Sequence, residues 1–237
     1  MNTHKTSTKN TRNKPQYKFL MLLSIIYITV FLATIPYTYK VVRLGHLTMA
    51  ANVYIFPLTY ILGDVVTEVY GYKISRNLLW CSIVSELLFG AIMTVISYTP
   101  SYGLHNHQQA YDFILRPDFY AVIGGTLGIL SGDFLNIYIL SKLKVIYRGK
   151  WFLFRSVFSS ALGELLTLLI SGAIVFFHFL NVQEFFAFIF SMFIFQLIYI
   201  GIGAVPAYIL SGILKKAEDV DIYDVGIEYN PFKFTAD

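Results

Sequence analysis

Six long apolar runs, none holding a lysine or an arginine, decide what this chain can fold into. They are Phe19–Tyr39, Leu44–Tyr70, Leu78–Tyr98, Phe119–Leu140, Ser156–Phe177 and Phe185–Leu214. A helix needs about 20 apolar residues to cross a hydrocarbon core of about 30 Å, and each run meets that length. Only 14% of the 237 residues are charged, whereas soluble domains average about 25%. The sequence therefore predicts an all-α integral membrane protein, a bundle of about six transmembrane helices.

The basic residues give its orientation. With both termini cytoplasmic, fifteen of the eighteen Lys and Arg fall in inside segments, and Lys40, Arg43 and Arg116 fall outside. That asymmetry is the positive-inside pattern, so the net charge of +4 reads as topology and not as nucleic-acid binding. Residues 1–18 carry Lys5, Lys9, Arg12, Lys14 and Lys18 with no acid, as a cytoplasmic tail would. The run after them is too long for a signal-peptide core and lacks a small-residue cleavage site, so it is expected to stay as helix 1. The chain divides into this tail, a six-helix transmembrane domain over 19–214, and a cytoplasmic tail over 215–237. Lys142, Lys144, Arg148 and Lys150 are expected to face water, and Arg155 to anchor the inner end of helix 5. The second run, 27 residues and about 40 Å as a helix, is expected to tilt, protrude or break at Pro57, with Gly71 as its stop.

Acids remain inside the apolar runs: Glu86, Asp133 and Glu164, with Asp64 and Glu68 near the end of the second run. A charge at the bilayer centre costs ~2.5–3.5 kcal/mol on insertion scales, so each acid needs a reason. With no basic residue in the spans, each carboxyl is expected to be protonated, hydrated in a cavity or bonded to an uncharged donor. A short pattern recurs: Gly63-Asp64-x-x-Thr67, Gly132-Asp133-x-x-Asn136 and Gly163-Glu164-x-x-Thr167. Acid and polar residue stand three apart and share a helix face. The glycine permits close approach of a second helix or a ligand. Asp64, Thr67, Glu68, Asp133, Asn136 and Glu164 are the candidate binding residues. Asp133, Glu164 and Glu86 are the candidates for proton exchange.

Plainer readings apply to several positions. Gly124, Gly128 and Gly132 form two successive GxxxG steps and read as helix packing. Glu86 stands between an interhelical hydrogen bond and a site role, and Gln196 between packing and site. Tyr60, Tyr70 and Tyr72 read as interface aromatics. His105 and His107 have no third ligand nearby, so no metal site is expected. The chain has no GxxxxGK[ST], HExxH or GxSxG motif and no nucleophile beside a base, so no catalytic residue and no cofactor are expected. The lone Cys81 precludes an internal disulfide.

The stretch PLTYILGDVVTEVYGYKISR around Asp64 closely resembles the signature of the queuosine precursor transporters, within the vitamin-uptake transporter group. GDFLNIYILSKLK (Gly132–Lys144), RGKWFLFRSVFSSALGE (Arg148–Glu164) and YDVGIEYNPF (Tyr223–Phe232) agree with it, so the resemblance covers Phe56 to Phe232. Thr167 departs from it, at a position where many relatives are expected to carry an acid. The resemblance implies import of deazaguanine bases, precursors of a modified tRNA nucleoside, across a bacterial inner (plasma) membrane. The partner would be the small base itself, in a lipid bilayer, with no nucleic acid bound. A deazaguanine carries a ring N–H beside an exocyclic NH₂, and a carboxylate can accept both at once. The same acids would suit a proton relay. Two rivals remain open at this point: a binding subunit that needs a separate ATP-driven module, and an integral membrane enzyme. A homo-oligomer is equally open.

Overall fold

A computed structural model describes residues 17–99, 102, 108–115 and 119–233. The tail's Lys5, Lys9, Arg12 and Lys14, the His105/His107 pair and Arg116 lie outside the described residues. The helices are α1 (Leu20–Thr34), α2 (Pro57–Ser97), α3 (Gln108–Leu115), α4 (Phe119–Gly128), α5 (Phe134–Ile146), α6 (Phe152–Phe176) and α7 (Val182–Glu218). Among the described residues, five helical segments are long and apolar enough to cross a membrane, with α4 and α5 counted as one. The protein is an all-α integral membrane protein, as composition required.

The fold's main surprise lies in the second run. Residues 44–56 are not helical. An antiparallel hairpin, β1 (Val41–Leu44) with β2 (Leu47–Ala50), comes first, and a short 3-10 turn, Ala51–Tyr54, follows it. Gly45 takes φ +61° as the first of the two turn residues, where a side chain is disfavoured. The hairpin's two strands differ in cover: β1 is largely exposed, while the end of β2 turns inward. Met49, Ala50 and Val53 bury against Phe185, Phe188, Ile189 and Met192 of α7. Pro57 therefore begins a helix instead of breaking one, because its missing N–H is unneeded in a first turn.

The break falls at Gly71, at φ 80° and ψ 175°. It divides α2 into arms over 57–70 and 72–97. Thr67 and Ser75 sit four residues to either side of it, and their hydroxyls are 2.8 Å apart. On a straight helix those residues would be about 12 Å apart along the axis, so the arms fold back on each other. Gly71 is thus both the expected stop and a hinge into the next helix, which starts at residue 72, well before Leu78. With α1, α6, α7 and the α4–α5 pair, the two arms of α2 make six helical rods among the described residues, beside the short α3. The start of α1 and the end of α7 lie on one face, because the Lys18 and Phe19 N–H groups donate to Glu218 at 3.1 and 2.8 Å.

The C-terminal tail completes the hinge. Asp224 accepts the Tyr72 N–H at 2.8 Å and the Ser141 hydroxyl, and so caps the second arm of α2. The Ile222 N–H donates to the Val69 carbonyl at 3.2 Å. Further along, Arg76 and Trp80 donate to the carbonyls of Asn230 and Pro231. Tyr229 packs edge-on against Tyr72 and Tyr138. A side chain at Gly71 would strike Ile222 and Asp224 as well as strain the backbone.

Between α4 and α5 the helix widens to a π turn over Ile129–Asp133. The glycine stripe of α4 lies against α6: a side chain at Gly124, Gly128 or Gly132 would meet Val175, Thr167 or Gly163. The stripe is a packing surface.

Candidate functional site

The three Gly-acid motifs converge at this crossing. Gly132 and Gly163 face each other so closely that a Cβ on either would run into the other's carbonyl. Thr167 of α6 donates to the Gly128 carbonyl at 3.3 Å, at the edge of the π turn. Its one proton being used there, it accepts from the Tyr60 hydroxyl, also at 3.3 Å. Tyr60 is therefore an interior residue, only 3% exposed, and not an interface aromatic. Tyr70 and Tyr72 are buried too.

Asp64 is bound to the other motifs by uncharged donors. The Asn136 amide donates to Oδ1 at 2.9 Å, while the Ser156 and Ser160 hydroxyls donate to Oδ2, the latter at 3.0 Å. The expectation of a carboxyl held by neutral donors describes this layer. Thr67 instead spends its hydroxyl on Gly63 and Ser75, inside the hinge.

Glu68 stands apart. Arg155 grips both its oxygens, at 2.9 and 3.3 Å, and Lys215 adds a third contact at 2.6 Å. Lys144 lies 4.0 Å from the same carboxylate, donates to the Glu68 backbone carbonyl, and reaches Asp221 at 2.6 Å and the Ile222 carbonyl at 2.7 Å. Two expectations are corrected here. Lys144 does not face water, being 1% exposed, and Arg155 is not a surface anchor, being fully buried. Both sit at helix ends just beyond the apolar runs, and the tail roofs over them. Burial opposes the charge of Asp221 beside them, but the hydrogen bonds and charges of Lys144 and Lys215 outweigh it and hold its carboxyl below the ordinary range.

On the far side of the Asp64 layer lies a cavity of about 90 Å³. At about 10–15 Å³ per water on this measure, it has room for several waters or one small flat molecule. Its walls are apolar and aromatic, with Phe31, Phe56 and Phe176 among them, and its polar groups are few: Asn52, Glu86, Glu164, Thr167, Ser171 and Gln196 among them. Among the described residues, both Glu164 oxygens, the Gln196 Oε1 and the Asn52 Oδ1 are buried without a hydrogen-bond partner. Buried acceptors are satisfied in the great majority of cases, so four in one cavity call for donors from a ligand or water. Glu86 lies across the cavity against Gly125, with Thr126 at 3.4 Å.

Asp133 is separate again. It lines a void of about 10 Å³ with Tyr27, Thr59, Tyr60, Gly63 and Asn136, and its Oδ1 also lacks a partner among the described residues. The six sequence candidates thus form three groups: Glu164 at the cavity, Asp64 with Asn136 and Asp133 in the layer beneath, and Thr67 with Glu68 at the hinge end.

Sequence reasoning passed over Ser156, Ser160 and Asn52. The two serines could have been found. Ser156, Ser160, Glu164, Thr167 and Ser171 recur every three or four residues and form one polar stripe on an apolar helix. Asn52 had no such signal, because it stands on the 3-10 turn that the hydropathy pattern concealed.

Residues 50–211, well over half of the chain, match the family described as "Putative vitamin uptake transporter". No curated protein and no solved structure matches the chain. Its multi-pass helical architecture agrees with that description, and the chain belongs to this vitamin uptake transporter family.

Proposed function

We propose that the protein imports a deazaguanine base, a precursor of queuosine, across a bacterial inner membrane, and that the Glu164 cavity is where the base binds. The observation that carries this reading is the set of unpartnered buried acceptors on Glu164, Gln196 and Asn52. A deazaguanine offers adjacent ring N–H and NH₂ donors to the two Glu164 oxygens. Gln196 and Asn52 add amides able to pair with the remaining edge, and Phe31, Phe56 and Phe176 give flat apolar walls. The sequence resemblance around Asp64 supports the same substrate class. In this reading Asp64 and Asn136 form the floor of the site, and Glu68 with Thr67 maintains the hinge beneath it.

Proton coupling fits the same arrangement. Asp133, a second buried acid with an unpartnered oxygen, lines the neighbouring void beside Tyr60 and would hold the coupling proton while Glu164 stays ionised for the base. The test is uptake in cells unable to make the base, read as queuosine in their tRNA, followed by uptake into liposomes holding this protein alone. Accumulation in both supports the reading. Accumulation in cells but not in liposomes, under a proton gradient, points to a separate energising module. No queuosine in the cells removes the substrate assignment.

A further inference from the structure

The Glu164 cavity opens in the half of the bundle away from the start of α1 and the end of α7, and nothing yet accounts for how a bound molecule leaves on the other side. The polar stripe of α6 marks a continuous polar column. From the cavity inward it passes Glu164, then Ser160 and Ser156 with Asp64, and ends at Arg155, nine residues and about 13 Å from Glu164. There the Glu68 cluster closes it. On the far side of that cluster is a second, wider cavity of about 520 Å³. Glu68 and Lys215 are among its walls, together with Phe152, Tyr208 and Ser211. The Glu68 cluster, with Arg155 on the column side and Lys215 on the other, therefore stands between the polar column and an open vestibule.

The geometry points to Lys215 as the moving half of this gate and to Glu68 with Arg155 as its fixed half: we infer that the protein opens inward when Lys215 leaves Glu68. Three observations carry this. First, the partners of Glu68 are unequally held. Arg155 is fully buried and also donates to the Lys150 and Gly149 carbonyls. Lys144 is locked between the Glu68 and Ile222 carbonyls. The Lys215 side chain is 23% exposed and bonds only carboxylates, Glu68 and Asp221. Second, loss of Lys215 does not strand a charge. Glu68 keeps both bonds to Arg155, and the released ammonium enters the vestibule, where water solvates it. Third, Lys215 stands on an element built to move. Pro206 lies inside α7, nine residues before it, and cannot donate to the turn behind. Gly201, just before the proline, has open space where a side chain would lie. The end of α7 can bend on this segment once Glu218 releases Lys18, Phe19 and Tyr70, while α6 stays with Arg155.

The inference uses the chain's membership of a transporter family and not the identity of its substrate, so the test needs no substrate. The reporter is Ser211→Cys in a Cys81→Ser background. Ser211 lines the vestibule and is 2% exposed with the gate closed. The full-length protein is labelled with a membrane-impermeant maleimide from the face that carries the start of α1 and the end of α7, in inside-out vesicles. Adding Lys215→Gln is expected to raise the labelling rate at least tenfold, while Lys215→Arg leaves it near that of the parent. Should Lys215→Gln fail to reach the membrane, Asp221→Asn removes the other anchor of Lys215 and is expected to raise the rate several-fold. An unchanged rate in whichever of these two variants reaches the membrane overturns the assignment. So does an equal rise in Lys215→Arg, which would show general loosening of the bundle end.

Discussion

Arg155 and Glu68 form a two-bond ion pair, at 2.9 and 3.3 Å, in which neither side chain is more than 3% exposed. Arg155 begins α6 and Glu68 ends the first arm of α2, so the pair ties the hinge to the far wall of the bundle. Removing one partner of such a pair leaves an uncompensated buried charge, at ~3–5 kcal/mol. Glu68→Gln, which leaves Arg155, Lys215 and Lys144 facing one another, is expected to lower the melting temperature in detergent by many degrees. A melting temperature equal to the parent's would mean the cluster is hydrated and holds nothing.

Asp224 makes a different kind of tie. Its carboxylate caps the arm that restarts at Tyr72, and a lost cap costs ~0.5–2 kcal/mol. Asp224→Ala is expected to release the tail, because the Ser141 bond goes with the cap. Limited proteolysis should then cut after residue 218 several-fold faster. An unaltered cleavage rate would show that the ring contacts of Tyr229 suffice to hold the tail.

Acid should have the same effect as that substitution. Lys144 and Lys215 outweigh the burial of Asp221 and hold its folded carboxyl below the ordinary range. A carboxyl depressed in the folded state adds stability above its unfolded value, near 3.9, and loses it as pH falls through the lower folded value. Tail protection is therefore expected to be constant from neutral pH down to about pH 4 and to fall away below it. Asp221→Asn should flatten that dependence. If the variant shows the same acid release as the parent, another carboxyl governs docking.

These ties explain which parts of the fold could be read from the sequence. Hydropathy located the helices of 119–146, 152–176 and 182–218, because a membrane demands long apolar runs whatever their neighbours. It misread residues 44–56, because a hairpin whose second strand packs on α7 is as apolar as a helix, and that packing partner lies far away in the chain. It took Gly71 as an end and missed the immediate restart, because the cap for Tyr72 arrives from Asp224, 152 positions later in the chain. The same distance hid the cation partners of Glu68. Lys144 and Arg155 sit just outside apolar runs, where a count of charges assigns them to water, and only the folded tail excludes that water. Asp64 with Asn136 was legible, since both belong to copies of one motif whose glycines bring the helices together.

Asp64 and Glu164, alike in the sequence pattern, should part company on substitution. Asp64 already accepts three hydrogen bonds from Asn136, Ser156 and Ser160. Asp64→Asn turns one oxygen into a donor facing hydroxyls and leaves buried groups unsatisfied, at ~1–3 kcal/mol. Its expected result is a lower melting temperature, with KM for uptake near that of the parent in the fraction that folds. Glu164 has no partner to lose among the described residues. Glu164→Gln therefore leaves the melting temperature unchanged or higher, yet it presents one N–H to a base edge that needs two acceptors. Losing one such charge-assisted bond, at ~1.5–3 kcal/mol, raises KM about tenfold or more. The measurement is initial uptake rate against concentration, paired with thermal unfolding of the same preparations. The opposite pattern, with KM altered in Asp64→Asn and only stability altered in Glu164→Gln, would move the binding site one layer inward, from the cavity to the motif crossing.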